Sequence, residues 1–278
     1  MNTIPHTPRI LVFDSGVGGL SVMHEVQQRL PSCQYFYASD NAAFPYGTKS
    51  EAELIARVDK VLHALLQHIE DRHGVVDIIV VACNTASTLT LPHIRSHFSQ
   101  PIVGVVPAIK PAALISQTKV IGLLATPATV ARPYTHDLIR QHAADCTVIS
   151  VGSSELVQLA EQKLRGETIA PEKTAAILAP FFEAPRSAEM DTLVLACTHF
   201  PLLMDELRNN LPADIKLIDS GEAIARRVEF LLQQQHLLTQ AENRQAHLAL
   251  FTCATPEVER LRPALADFAL QHLDIVSC

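Results

Sequence analysis

The chain has 278 residues, 48% of them apolar and 18% charged, with a formal net charge of −7. That apolar share supports substantial cores and excludes a disordered chain, and the negative balance offers no electrostatic footprint for nucleic acid. No stretch approaches the roughly 20 uninterrupted apolar residues that span a bilayer.

The first element is RILVFD, a buried strand ending on Asp14. It runs into SGVGGLSVMHEVQQRL, where Gly16, Gly18 and Gly19 predict a tight turn and Leu20, Val22, Met23, Val26 and Leu30 a helical stripe. QYFYASD is a second strand, followed by a loop holding Pro45, Tyr46 and Gly47. Lys49 to Arg72 reads as a long amphipathic helix, and Val75 to Ala82 as the strand leading to Cys83. A helix from about Ser87 to His97 and a short strand over Pro101 to Val106 complete this unit. The second unit opens with a helix near Ala108 to Ser116 and a strand over Lys119 to Thr126. VARPYTHDLIRQHA reads as one helix, and CTVISVG, SELVQLAEQKL and PEKTAAILAPFFEAP continue the alternation. DTLVLAC then ends on Cys197. IKLIDSGEAIARRVEFLLQQQ supplies one more strand and helix, and HLALFTCAT with PEVERLRPALADFAL another pair.

Strands alternating with helices predict an α/β fold of mostly parallel sheets flanked by helices. Two words recur: Ala-Cys followed by polar residues at Cys83 and Cys197, and Asp-Ser-Gly at 14–16 and 219–221. Their recurrence predicts two similar domains related by an approximate two-fold. The crossovers fall near Pro107 and Ser220, giving 1–106 plus 220–278 as a discontinuous first domain and 107–219 as the second.

Each of the two cysteines follows an apolar run rich in Val, Ile and Leu, the pattern of a strand buried on both faces of a parallel sheet. The carboxyl end of such a strand is where open α/β folds bind ligands. Helix-compatible sequence after each predicts that both sulfurs sit near a helix N-terminus, which favours a thiolate. A buried Cys at a strand end can also be a small apolar core residue, but the repeated word argues for a pair facing one substrate. Cys33, Cys146, Cys253 and Cys278 lack this setting and read as unpaired thiols. The opening MNTIPHTPR has neither the apolar core nor the cleavage site of a secretory leader, so reduced thiols in a cytoplasm are expected.

FDSGVGG can cradle a phosphate or a carboxylate on backbone amides, yet it matches neither the dinucleotide fingerprint nor a P-loop. Asp14 sits at the ligand crevice, or caps the following amides as an Asx turn; both roles can coexist. His199, two residues after Cys197, allows several readings. A zinc site lacks further ligands at metal spacing, and a Cys/His hydrolase makes a second cysteine redundant. A His that holds or deprotonates a neighbouring thiol fits better, beside the alternative of a structural His. Ser15, Tyr46, Asn84, Thr85, Thr126, Thr129 and Thr198 fall at strand ends or in loops and offer neutral donors for an anionic ligand.

These residues resemble the cofactor-independent glutamate racemases, within the aspartate/glutamate racemase group. The likeness runs through FDSGVGGLSV, FPYGTKS, VVACNTAS, VGVVPAIKPA, LLATPATV, ACTHFPLL and IDSGEAIARR, nearly the whole chain. It implies two α/β domains with the active site at their interface, interconversion of L- and D-glutamate for peptidoglycan synthesis, and no metal or other cofactor. It implies catalytic thiols at Cys83 and Cys197, supporting acid/base residues at Asp14 and His199, and a carboxylate partner for that His at Glu161. It places substrate contacts at Asp14, Ser15, Tyr46, Gly47, Asn84, Thr85, Thr198 and His199. Members usually carry Cys-Pro where this chain has Ser153-Ser154, and Glu161 also reads as an exposed charge on the helix SELVQLAEQKL. Some members form homodimers or respond to a cell-wall nucleotide precursor. Aspartate racemase, with the same paired thiols, is the alternative activity. A non-catalytic binding protein is a further class, one that would have no use for two reactive thiols.

Overall fold

The computed structural model describes residues 6–238 and 245–278; the first residues of the stretch read above for a leader lie outside them. Two compact units divide the chain, one formed by residues up to Val105 together with Gly221–Cys278, the other by Val106–Ser220. Among the described residues no helix is long and apolar enough to cross a membrane.

The first unit begins with β1 (Arg9–Asp14), α1 (Gly19–Arg29), β2 (Gln34–Ser39), α2 (Glu51–His73), β3 (Ile78–Val81), α3 (Asn84–His97) and β4 (Ile102–Gly104). The second holds α4 (Ile109–Ile115), β5 (Val120–Ala125), α5 (Pro127–Val130), α6 (Pro133–His142), β6 (Thr147–Gly152), α7 (Glu155–Leu164), α8 (Pro171–Glu183), β7 (Thr192–Leu195), α9 (Met204–Arg208) and β8 (Lys216–Ile218). The chain returns to the first unit with α10 (Gly221–Gln234), β9 (His247–Phe251), α11 (Pro256–Arg260), α12 (Arg262–Asp267) and β10 (Leu270–Ile275).

Both sheets are wholly parallel. The first runs β10-β9-β2-β1-β3-β4 and the second β6-β5-β7-β8. The four-strand order second-first-third-fourth therefore occurs twice, and β3 and β7 hold the same place in it. Register repeats as well: the amide of Ala82 donates to the Phe13 carbonyl at 2.7 Å, and that of Ala196 to the Leu124 carbonyl at 2.8 Å. Cys83 and Cys197 are thus equivalent positions. The two Asp-Ser-Gly words are not, because the first follows β1 and the second follows β8, a third-to-fourth-strand extension with no Asp-Ser-Gly counterpart after β4.

Burial explains the elements. Every residue of β3, β5 and β7 is buried, as expected for strands covered by helices on both faces. In α2 the buried Leu54, Val58, Val61, Leu62, Leu65 and Ile69 recur at helical spacing and pack on Leu11, Phe13, Phe36 and Val81, each such side chain contributing about 1.5–3 kcal/mol. The Ser50 hydroxyl caps the amide of Glu53, and Gly74, at φ +94°, closes the other end where an L side chain would be strained.

Some expected elements differ. VARPYTHDLIRQHA is not one helix: the chain breaks after α5 and restarts at Pro133, whose ring costs a helix interior a hydrogen bond but fits its first position. Helix α3 starts three residues earlier than read, at Asn84. The strand β10 was not anticipated. Its alternation of Leu, Gln, His, Leu, Asp and Ile leaves most side chains partly or fully exposed at a sheet edge, without the apolar run that marks its partners.

Candidate active site

The expected residues divide between the units, with Cys83 in the first and Cys197 in the second. In the first unit, β1 ends on Asp14 and β3 on Val81, paired one residue back through Phe13. Cys83 is the N-cap residue of α3, in extended conformation, and its carbonyl accepts the first helical bond from the Ser87 amide at 2.8 Å. The thiol, 7% exposed, therefore sits beside the free amides and positive pole of a 14-residue helix. Ser87 fixes this end by donating to the Val81 carbonyl and accepting from the Val105 amide.

Asp14 is buried. One carboxylate oxygen accepts from the Ser15 amide at 2.6 Å and the other from the Gly19 amide at 2.5 Å. The carboxylate thus bonds following amides, as the capping reading expects, although the N-cap residue of α1 is Gly18. Gly19 is required by the close approach, since a Cβ there would lie 2.9 Å from the Asp14 Cβ and 3.0 Å from that of Ala82. The Ser15 hydroxyl stands between acid and thiol, 3.4 Å from Asp14 Oδ1 and 3.8 Å from Cys83 Sγ. Tyr37 holds the same turn by donating its phenol to the Gly16 carbonyl. Asn84 and Thr85 are buried in the first turn of α3, and Asn84 Oδ1 has no hydrogen-bond partner among the described residues.

Tyr46 is also buried, but its phenol donates to Asp40 Oδ2 at 2.6 Å, so the hydroxyl serves the loop itself; Gly47 beside it is exposed. Asp40 is the anchor that sequence reasoning missed. It is fully buried and accepts from Arg57 Nε at 2.9 Å, a second Arg57 nitrogen at 2.6 Å and the Thr252 hydroxyl at 2.7 Å. Burial alone would raise its pKa, but the bonds from Arg57, Tyr46 and Thr252 outweigh burial and hold the carboxyl below its usual range. Burial and the Asp40 charge push the Tyr46 phenol up, so it stays a neutral donor. The available signal was Asp40 itself, a carboxylate at a strand's carboxyl end like Asp14.

In the second unit Cys197 does not precede an α-helix. It lies in a turn that leads to a 3-10 helix, Phe200–Leu203, and only then to the five-residue α9. Pro201 and the short turn give no extended row of aligned peptides, so the helix-dipole argument holds for Cys83 and fails for Cys197. A buried charge pair stands there instead. His199 Nδ1 is 3.8 Å from Cys197 Sγ, and Nε2 is 2.9 Å from Glu161 Oε1. Both residues are buried, which overturns the reading of Glu161 as an exposed charge. Burial by itself would lower the His199 pKa; hydrogen bonds and charge from Cys197 and Glu161 outweigh it and raise it well above the ordinary value. Arg165, one turn on, lies 3.5 Å from Glu161. Lys163 ties α7 to the turn through the Leu202 carbonyl and Glu206.

Thr198 is buried. Thr126 caps α5 through the Thr129 amide, and the two hydroxyls are 2.9 Å apart. Thr129 also accepts on its carbonyl from Thr135, so this pair serves local structure as well as any ligand.

The Asp/Glu/Hydantoin racemase family model matches residues 11–228. A glutamate racemase of Pectobacterium carotovorum is 48% identical over 98% of this chain and 93% of its own length. The Escherichia coli glutamate racemase, solved with L-glutamate and the activator UDP-MurNAc-ala, is 46% identical with a TM-score of 0.89, over 98% of this chain and 99% of that one. The Francisella tularensis glutamate racemase, solved with D-glutamate, is 26% identical with a TM-score of 0.75, over 99% and 98%. With thiols at the same point of two like-ordered sheets and relatives matched along nearly its whole length, the chain belongs to the glutamate racemases of the Asp/Glu/Hydantoin racemase family.

Proposed function

We propose that this chain interconverts L- and D-glutamate by passing the α-proton between two thiols, supplying D-glutamate for peptidoglycan synthesis in the cytoplasm. The observation that carries the reading is the equivalence of Cys83 and Cys197, each at the end of the third strand of a like-ordered sheet. One base cannot take a proton from one face of a carbon and return it to the other without moving. Two thiols serving one carbon can, with one abstracting as thiolate while the other donates.

Cys197 takes the α-proton of L-glutamate. The His199 imidazolium, held by Glu161, stands 3.8 Å from the sulfur as the charge partner of the reacting base. Cys83 returns a proton to the opposite face and abstracts from D-glutamate in the reverse direction. There the first turn of α3 favours the thiolate, and the Ser15 hydroxyl links it to Asp14. The carbanion is stabilised by fixed dipoles: the open amides of Asn84 and Thr85, the Gly47 backbone, and the hydroxyls of Thr198, Thr126 and Thr129. The orphaned Asn84 Oδ1 gives the substrate ammonium an acceptor. No cofactor enters this scheme, since thiols and dipoles supply the acid, the base and the charge stabilisation. The activator bound by the E. coli relative supports control of this chain by a cell-wall nucleotide precursor.

The test is incubation of metal-free protein, without added cofactor, with L-glutamate or L-aspartate in deuterated water. Inversion and α-deuteration of glutamate are expected. Turnover of aspartate in preference to glutamate would install aspartate racemase in its place, and no exchange with either would end the two-thiol reading.

A further inference from the structure

On the face formed by α2 and α3, Asp59, His93 and His97 bring one ligand atom each within 4.8 Å of one another. His93 and His97 are one turn apart, and their rings stack at 3.9 Å and 23°, so one ring turns about its side-chain bonds for both to meet a single ion. Asp59 Oδ1 lies 3.2 Å from His93 Nε2 in a hydrogen bond whose proton a bound ion would displace, close to the separation of about 3.3 Å that two donors take around a tetrahedral ion at bonds of about 2.0–2.1 Å. The third ligand is already oriented. His97 Nδ1 lies 2.8 Å from the His93 carbonyl, which can only accept, so Nδ1 carries the proton and Nε2 keeps its lone pair. Such a carbonyl bond is what usually orients a metal-bound imidazole. His97 is exposed and the other two are half-exposed, so the site opens to solvent with room for water in the remaining position.

We propose that Asp59, His93 and His97 form a surface site for a borderline divalent transition metal such as Zn²⁺, Co²⁺ or Ni²⁺. Two imidazoles and one carboxylate suit these ions better than Ca²⁺ or Mg²⁺, which prefer oxygen. The site is separate from the thiols, for which no metal was expected. An ion here ties α2 to the last turn of α3, the helix whose N-cap is Cys83.

The test uses untagged, chelator-stripped protein titrated with Co²⁺, comparing wild type with a His93→Asn/His97→Asn variant. Wild type should bind one ion with visible d–d bands and no thiolate-to-cobalt charge-transfer band. Its Tm should rise on binding. The variant should lose affinity by at least about tenfold, with racemisation unchanged as proof of folding. A smaller loss, the absence of binding, or a charge-transfer band that disappears in Cys197→Ser would overturn the proposal.

Discussion

Replacing Glu161 by Gln keeps the shape and one acceptor beside His199 but removes the charge. The pair is 2.9 Å apart with both side chains under a tenth exposed. At an effective dielectric of about 20 the Coulomb attraction has a ceiling of about 6 kcal/mol. The amide retains a neutral hydrogen bond, and exchanging a charged bond for a neutral one forfeits about 1–2 kcal/mol. The smaller figure should govern the rate, because the imidazolium also keeps Cys197 as a partner. Expressed in the transition state, it lowers kcat/KM about five- to thirty-fold. Because the two enantiomers are equal in free energy, the loss should be the same in both directions. The pH profile should move too. The His199 pKa is raised by its partners, so the variant should lose its imidazolium, and with it activity on the alkaline limb, at lower pH than wild type. Stability follows the same sign. A raised folded pKa contributes stability that is full below the unfolded value of about 6.5 and is lost as pH rises through the folded value. The stability gap between wild type and variant should therefore be widest near pH 6 and narrow toward alkaline pH. Circular dichroism assays of racemisation from pH 6 to 10, with urea melts at each pH, measure both. A variant within twofold of wild type, with an unmoved alkaline limb, would refute a catalytic part for the pair.

Cys83→Ser and Cys197→Ser should each abolish racemisation, yet a glutamate analogue with a β-leaving group needs only one deprotonation. Cys83→Ser should then still eliminate from the L-analogue and Cys197→Ser from the D-analogue, and one mutant processing both would sink the two-base scheme. Asp14→Asn turns one acceptor toward a backbone N–H into a donor, so urea unfolding should show a loss of about 1–3 kcal/mol. Racemisation should fall roughly 10²-fold or more; a near-normal rate would leave Asp14 a capping residue alone. Arg57→Met strands the fully buried Asp40 charge, and chemical denaturation should register a loss of about 3–5 kcal/mol, with a raised KM as the Tyr46–Gly47 loop loosens. A loss under about 1 kcal/mol would mean that Tyr46 and Thr252 suffice to hold Asp40.

What the sequence made legible was what local pattern encodes. Strands β1, β3, β5 and β7 are apolar runs because helices cover both their faces, and the twin cysteine words ended two of them. The Asp-Ser-Gly repeat looked like equal evidence and was not, since words of three residues recur without structural equivalence and only strand order distinguishes them. Glu161 also read as an exposed charge because α7 carries Glu155, Gln158, Gln162 and Lys163 around it. Its burial depends on the turn at His199, 38 residues away. Asp40 was visible as a strand-end carboxylate, but its partners were not, for the same reason: Thr252 approaches it from 212 residues along the chain, across a sheet joined only when β9 pairs with β2.

The unequal surroundings of the two thiols follow from the unequal segments after them. Where a 14-residue helix begins at Cys83, aligned peptides favour a thiolate, and the adjoining carboxylate of Asp14 is spent on two backbone amides with a hydroxyl interposed. Where a short 3-10 turn follows Cys197, that field is missing, and a histidine two residues on supplies a positive charge held between the cysteine and a buried carboxylate. Equivalent positions in two related sheets thus reach the same chemical end by different means. A helix N-terminus does not titrate, whereas an imidazolium does. On the proposed mechanism, the part of the alkaline response set by the imidazolium belongs to the Cys197 side, the side that removes the proton from L-glutamate.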